Sequence, residues 1–258
     1  MPRRRTAQQD ALITNLFDNE FERTSYKTNF TKKPILASDF LITATNPTLA
    51  QMAFIAQSHE TMEVDAGTNA TSALSTFSTG GGLTLTTAGA SADQEIIRSK
   101  AVAAQGCLGT WDWSTSDELA FRCRLKTGAS IADVRIVAGL FLTVAQPFAE
   151  GTDNDAIFFT FADASSANFR LCYNVGGTDA ALDSGLAVAA STTYDLMITV
   201  SADRIVTFFI DDKIRGTSGS TALPADIDLL PFIGVEARAT AAKACTIRGF
   251  GLSKKDND

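Results

Sequence analysis

Residues 194–214 read YDLMITVSADRIVTFFIDDKI. Tyr194, Leu196, Ile198 and Val200 alternate with Asp195, Met197, Thr199 and Ser201, which is the period of a strand with one buried face. The turn-forming stretch SADR, with Ala202 and Asp203 at its centre, breaks the alternation, and the apolar run IVTFFI restores it. The stretch predicts a β-hairpin. What it serves depends on what the remaining residues supply.

From about residue 64 the chain repeats the pattern. GGLTLTTAG, QEIIRSK, DELAFRCRLKT, ADVRIVAGLFLTVA, AIFFTFAD, NFRLCYNVGG, ALDSGLAVA, YDLMITVS, RIVTFFIDD, LLPFIGVEAR and ACTIRGFGL succeed one another, with turn residues between most of them. Eleven short strands at this spacing predict an all-β sandwich or barrel with antiparallel connections. In LAFRCRLK, Leu119, Phe121, Cys123 and Leu125 share one face. Ala120, Arg122, Arg124 and Lys126 share the other, so that face is wet or meets an acidic partner. Aromatic content is carried by 17 Phe against two Trp and three Tyr. Abundant small and β-branched residues suit tightly packed sheets.

The 258 residues divide into an N-terminal extended or short-helical arm, residues 1–63, and a β-sandwich, residues 64–258. In the arm, DALITNLFDNEF places Leu12, Ile13, Leu16 and Phe17 at helical spacing, giving an apolar stripe that needs a neighbour. TNPTLAQMAFIAQS offers Asn46 as N-cap and Pro47 as first helical residue, although AFIAQ equally suits a strand start. Charge divides the same way. Residues 1–33 hold seven basic residues, among them Arg3, Arg4, Arg5, Lys32 and Lys33, against four acidic ones, a charge of +3; the rest carries −10, for a total of −7. A basic arm on an acidic body is either a solvated terminus or a docking element for an acidic neighbour, another copy included. The overall charge argues against nucleic acid as a general partner.

The PRRR start is followed by no apolar leader, and no run of 18 apolar residues is present, so the expectation is a protein made in the cytoplasm and not inserted in a membrane. Cys107, Cys123, Cys172 and Cys245 are far apart and form no CxxC pair; they are read as packed thiols, with two disulfides as the alternative.

TTYDLMITV, a tight turn, IVTFFIDDKI, and then ACTIRGFGLSK after LPADIDLLPFIGVEAR resemble the second half of the concanavalin A-like jelly roll of lectins, glucanases and laminin-G domains. The family's middle element usually ends in an Asp-Gly or Asn-Gly turn, where this chain has Asp211-Asp212-Lys213. DNDAIFFTFADASSANFRLCYNVGGTDAALDSGLAVAAST resembles versions of the fold in tailed-phage virion proteins. The resemblance covers about residues 64–253 and implies a concanavalin A-like sandwich outside the arm.

Catalysis lacks its residues. The E-x-D-x-x-E arrangement of glucanases is missing from the sandwich segment, where hydrolysis needs two carboxylates about 5 Å apart for retention; DNEFE, with Asp18, Glu20 and Glu22, lies in the arm. His59 is the one histidine, and no G-x-S-x-G elbow accompanies it. Neither zinc nor any other cofactor is expected. Asp153 and Asp155 in EGTDNDA form a weak calcium candidate, since such residues are also ordinary turn formers. Trp111 and Trp113 in GTWDWSTSDE, two apart, are the candidate sugar platform or else edge-packing residues.

Three functions remain. The first is a non-enzymatic bacteriophage virion structural protein, a capsid decoration or cement protein. It is expected to be homo-oligomeric and to grip major capsid or other virion proteins through Arg3, Arg4, Arg5, Leu12, Ile13, Leu16, Phe17, Lys32 and Lys33. The alternative is a lectin-like carbohydrate-binding module or a tail or head-fibre adhesin. The third is a glycoside hydrolase of the same fold.

Overall fold

The computed structural model describes residues 36–39, 62–66, 71–74, 81–99, 118–142, 155–175, 178–219, 223 and 229–255. Residues 34–258 form one compact unit. The strands are β1 (Leu36–Asp39), β2 (Met62–Ala66), β3 (Thr71–Leu74), β4 (Leu83–Thr86), β5 (Gln94–Ser99), β6 (Glu118–Thr127), β7 (Val134–Phe141), β8 (Asp155–Ala162), β9 (Asn168–Val175), β10 (Thr178–Ala187), β11 (Thr193–Val200), β12 (Val206–Ile210), β13 (Lys213–Thr217), β14 (Leu230–Ala237) and β15 (Ala244–Lys255). Every pairing between them is antiparallel. One sheet runs β13-β12-β11-β6-β15-β4-β3, with β1 beside β15; the other runs β10-β9-β8-β7-β14-β5-β2.

All eleven expected strands are present, and β1, β2, β3 and β13 join them. These four are short. β13, KIRGT, is exposed or half-exposed throughout, and its Lys213 and Arg215 suit an edge strand, where charge discourages further pairing. β1 lies within the segment expected to be an arm, and it pairs Leu36 with Leu252 and Asp39 with Gly249.

The opening hairpin forms as its pattern predicts. Tyr194, Leu196, Ile198 and Val200 are at most 4% exposed, and β11 pairs with β12 from Leu196↔Ile210 to Val200↔Val206. In the connecting turn Arg204 N donates to Ser201 O at 2.9 Å and Ser201 N to Ile205 O at 3.0 Å, with Arg204 at φ 61°. At the next turn Asp211 and Asp212 take φ 51° and 60° while Ile210 pairs with Lys213. This is a two-residue turn that needs two left-handed residues. Asp211 offsets its conformational cost: its N donates to Asp195 O, and its Oδ1 accepts from Asp195 N, both at 2.9 Å.

Between the sheets, the alternation of each strand becomes a shared aromatic core. Phe159 meets Phe208 edge-on at 5.3 Å, and Phe169 meets Tyr194 at 5.1 Å. Each contact joins one sheet to the other and adds roughly 0.5–1.5 kcal/mol beyond area burial. The Tyr194 hydroxyl accepts from Ala189 N at 2.8 Å, so its polar tip is satisfied inside. At the β13 edge the sheets close because Gly216 has no side chain: a Cβ there would lie 2.6 Å from Leu171 Cδ1.

The seven-stranded sheet departs from simple alternation. β7, β8 and β14 are buried at every position, which is why their sequences read as near-continuous apolar runs. Ile157, Phe159 and Phe161 face the other sheet. By alternation Phe158 and Thr160 face away, along with Phe141, Val137 and Arg135 on β7 and Phe232, Gly234 and Glu236 on β14. Phe141 stacks on Phe158 at 4.8 Å and tilts against Phe232 at 5.0 Å. Gly139 pairs with both Phe158 and Phe232, and a Cβ on it would lie 2.5 Å from Phe158 Cβ.

Candidate functional site

On this outward face three strands bring polar residues into one row. Glu236 on β14 pairs with Arg135 on β7 and with Gln94 on β5. Gln94 Nε2 donates to Glu236 Oε2 at 2.6 Å, and Arg135 Nη2 donates to the same oxygen. Arg238 Nη1 lies 3.6 Å from Glu236 Oε1, and its side chain is 40% exposed, against 9% for Glu236 and 10% for Arg135. The cluster therefore runs from a dehydrated interior to a wet rim. Burying a charge is costly unless it is paired and hydrogen-bonded, and Glu236 and Arg135 supply each other's compensation.

The next row is apolar. Val137, Gly234 and Ile96 lie across β7, β14 and β5, followed by Phe232. Together with Gln94, Arg135, Val235 and Glu236 they line a small pocket. Gly234 keeps that row shallow, because a Cβ there would lie 2.7 Å from Ile96 Cγ2. What the depression exposes is its apolar wall, while Gln94, Arg135 and Glu236 bond to one another at its edge. Glu236 is the one carboxylate among its lining residues. Glycoside hydrolysis needs a second.

Sequence reasoning missed Gln94, Arg135, Glu236 and Arg238. A signal existed: VRIVAGLF and PFIGVEA each carry one charge, of opposite sign, within an apolar run, and buried charges come in pairs. Arg3, Arg4, Arg5, Leu12, Ile13, Leu16, Phe17, Lys32, Lys33, His59, Trp111, Trp113 and Asp153 lie outside the described residues, as do the 45–58 segment and Cys107. Asp155 opens β8 and is 7% exposed, and its backbone O accepts from Leu142 N at 3.0 Å. Among the described residues no group of three His, Cys, Asp or Glu is placed to hold a metal ion. Cys123, Cys172 and Cys245 are buried. Burial, and secondarily the nearby Glu95, pushes the Cys245 pKa up to about 12; burial, then Cys245 and Asp195, raises that of Cys123. Neither is a ready nucleophile.

No protein-family model matches the sequence, and no curated protein matches it. Solved structures do match. A protein of unknown function from Shewanella oneidensis MR-1 superposes with a TM-score of 0.56 at 11% identity, covering 98% of this chain and 95% of that one. The carbohydrate recognition domain of Emp47p gives 0.55 at 9% identity, covering 86% and 95%. The T. cruzi calreticulin globular domain gives 0.54 at 10%, covering 86% and 88%. At such identities the likeness is one of fold. With its two antiparallel sheets and no helix among the described residues, the chain is a sandwich of the concanavalin A-like, lectin-like kind.

Proposed function

We propose that the protein is a carbohydrate-binding, lectin-like module that performs no covalent chemistry. The observation that carries this reading is the pocket in which Gln94, Arg135 and Glu236 converge beside Ile96, Val137 and Phe232. A sugar presents hydroxyls at its rim and C–H groups on its face; the depression is smaller than a sugar ring and apolar where exposed, so it would seat a C–H edge, with the polar row of Gln94, Arg135 and Glu236 beside it. Glu236, held by Arg135 and Gln94, suits a fixed acceptor better than a proton-transferring acid or base.

The test is a glycan array probed with the whole chain, the Gln94→Leu variant and the Trp111→Ala variant. At least tenfold weaker retention in Gln94→Leu, with the melting temperature held within a few degrees, supports the pocket. Loss in Trp111→Ala alone moves the site to the Trp111/Trp113 segment. Absence of any retained glycan refutes the module, and sugar release from a retained glycan refutes its inertness.

A second reading, a bacteriophage virion structural protein of the decoration or cement kind, is favoured by the +3 charge of residues 1–33 against −10 in the remainder. Removal of residues 1–33 spares β1, whose four residues pair with β15, and on this reading gives a folded sandwich that no longer joins particles. Normal assembly of the truncated chain refutes it.

A further inference from the structure

The outer face of the eight-stranded sheet is the second surface with a concentrated chemistry, and it lies across the sandwich from the pocket. On β6 the outward side chains are Arg122, Arg124 and Lys126, which by strand geometry stand about 7 Å apart in sequence order. β15 flanks them with Gly251, Gly249 and Thr246 at the paired positions, so the floor beside the cations is flat. The ladder shifts register between Ile247 and Gly249. Cys245, Ile247 and Phe250 all remain buried, and Arg248 is the extra residue. Following the inward Ile247, Arg248 is half-buried with its Nε out of water, and the irregularity adds a fourth cation to this face.

The acid at the centre of this face is Asp195, directly opposite Arg124 in the ladder and held by Arg122 through Nε to Oδ1 at 2.7 Å and Nη2 to Oδ2. Glu118 takes an outward register position at its margin. Thr84 and Thr246, joined Oγ1 to Oγ1 at 2.9 Å, continue the Lys126 row with hydroxyls. A protein of net charge −7 therefore gathers Arg122, Arg124, Lys126 and Arg248 on two adjacent strands.

We propose that this face binds an acidic polysaccharide, its carboxylate or sulfate groups meeting Arg124, Lys126 and Arg248 and its hydroxyls meeting the threonines. A flat, hydroxyl-lined surface with regularly spaced cations fits a repeating anionic sugar chain. A protein partner would need an apolar centre, whereas Ile214, the exposed large apolar residue among those described, stands on the far edge strand. A single-stranded nucleic acid would need exposed rings to stack on; Phe209, the described ring at an outward register position here, is 4% exposed.

The experiment is affinity electrophoresis of the full chain in gels containing polygalacturonate, dextran sulfate, neutral dextran or duplex DNA, with Arg124→Gln/Lys126→Gln as the variant. These outward side chains leave the core intact, which circular dichroism and thermal melting check. Retardation by polygalacturonate or dextran sulfate that falls at least tenfold in the variant and weakens with salt is the expected result, the stronger arm telling carboxylate from sulfate. Dextran and DNA leave mobility unchanged. The same retardation in the variant, none by either acidic polymer, or an equal response to DNA overturns the proposal. Gln94→Leu leaves this binding unchanged, so failure at the pocket and failure here are separable.

Discussion

Replacing Glu236 by Gln keeps the size of the side chain and removes its charge. Arg135, 10% exposed in its side chain, then loses the carboxylate that its Nη2 bonds in a dehydrated place. Breaking a buried pair from one side costs about 3–5 kcal/mol. The Gln94 bond to the same oxygen, at 2.6 Å, is partly kept by the amide oxygen, so its loss adds at most about 1 kcal/mol. Arg238, 40% exposed and 3.6 Å away, contributes only roughly 0.3 kcal/mol. The expected destabilisation is about 3–6 kcal/mol, or a melting temperature lower by roughly 10–15 °C for a domain of this size. Urea unfolding followed by circular dichroism measures it, with Arg135→Met and the Arg135→Met/Glu236→Leu double variant completing a cycle. Each single variant is expected to lose several kcal/mol, while the double variant, with no charge left unpaired, falls within about 1.5 kcal/mol of the parent. Singles that each lose under about 1 kcal/mol, with no coupling, would mean that water already solvates the row. The pocket would then lack the fixed polar groups on which its proposed use depends.

The Asp211-Asp212 turn gives a second expectation. Asp212→Gly is expected to stabilise the hairpin by about 0.5–1 kcal/mol, because glycine enters the left-handed region without penalty; Asp211→Gly is not, since it removes the acceptor for Asp195 N. Destabilisation by Asp212→Gly in the same urea assay would contradict the turn assignment. Asp183 accepts from Gly185 N and from Asn168 Nδ2, both at 2.8 Å, and these bonds, the backbone one foremost, hold its pKa below the usual carboxylate value. A folded pKa below the unfolded one stabilises above the unfolded value, and that contribution disappears as pH falls through the folded value. Carboxyl NMR is expected to show a depressed titration that Asn168→Ala raises only part of the way; an ordinary value in the parent refutes the bonding. In a Cys107→Ser background, Cys123 and Cys245 are expected to resist Ellman's reagent at pH 8 until urea unfolds the chain. Labelling of either within minutes in buffer would show that the sheets part readily.

Period-two alternation was enough to assign faces wherever one side of a strand is buried: Leu119, Phe121, Cys123 and Leu125 on β6, and Tyr194, Leu196, Ile198 and Val200 on β11, all point inward. The Arg248 bulge left a faint trace, since apolar positions 245, 247 and 250 break the spacing by one residue. β13 left almost none, because a five-residue edge strand without a buried face has no apolar rhythm to detect. The pocket was illegible for another reason. Gln94 and Glu236 are 142 positions apart, and Arg135 and Glu236 are 101 apart, and no local pattern encodes contact across such distances.

Neighbouring residues therefore set the local alphabet: which segments extend, where they turn, which side of each goes inward, and how charge divides between the first 33 residues and the rest. These are properties of neighbouring residues, governed by backbone sterics and the removal of apolar side chains from water. Only the tertiary structure decided the order of strands within each sheet, and with it which charges meet. Placing β14 between β7 and β5 turned three isolated polar residues into one paired row, and laying β15 beside β6 made one basic face from two strands. Strand order is a global choice of packing, since each strand's hydrogen-bonding edges can accept many partners, and the choice is settled only when the side chains of both sheets must fill a single core.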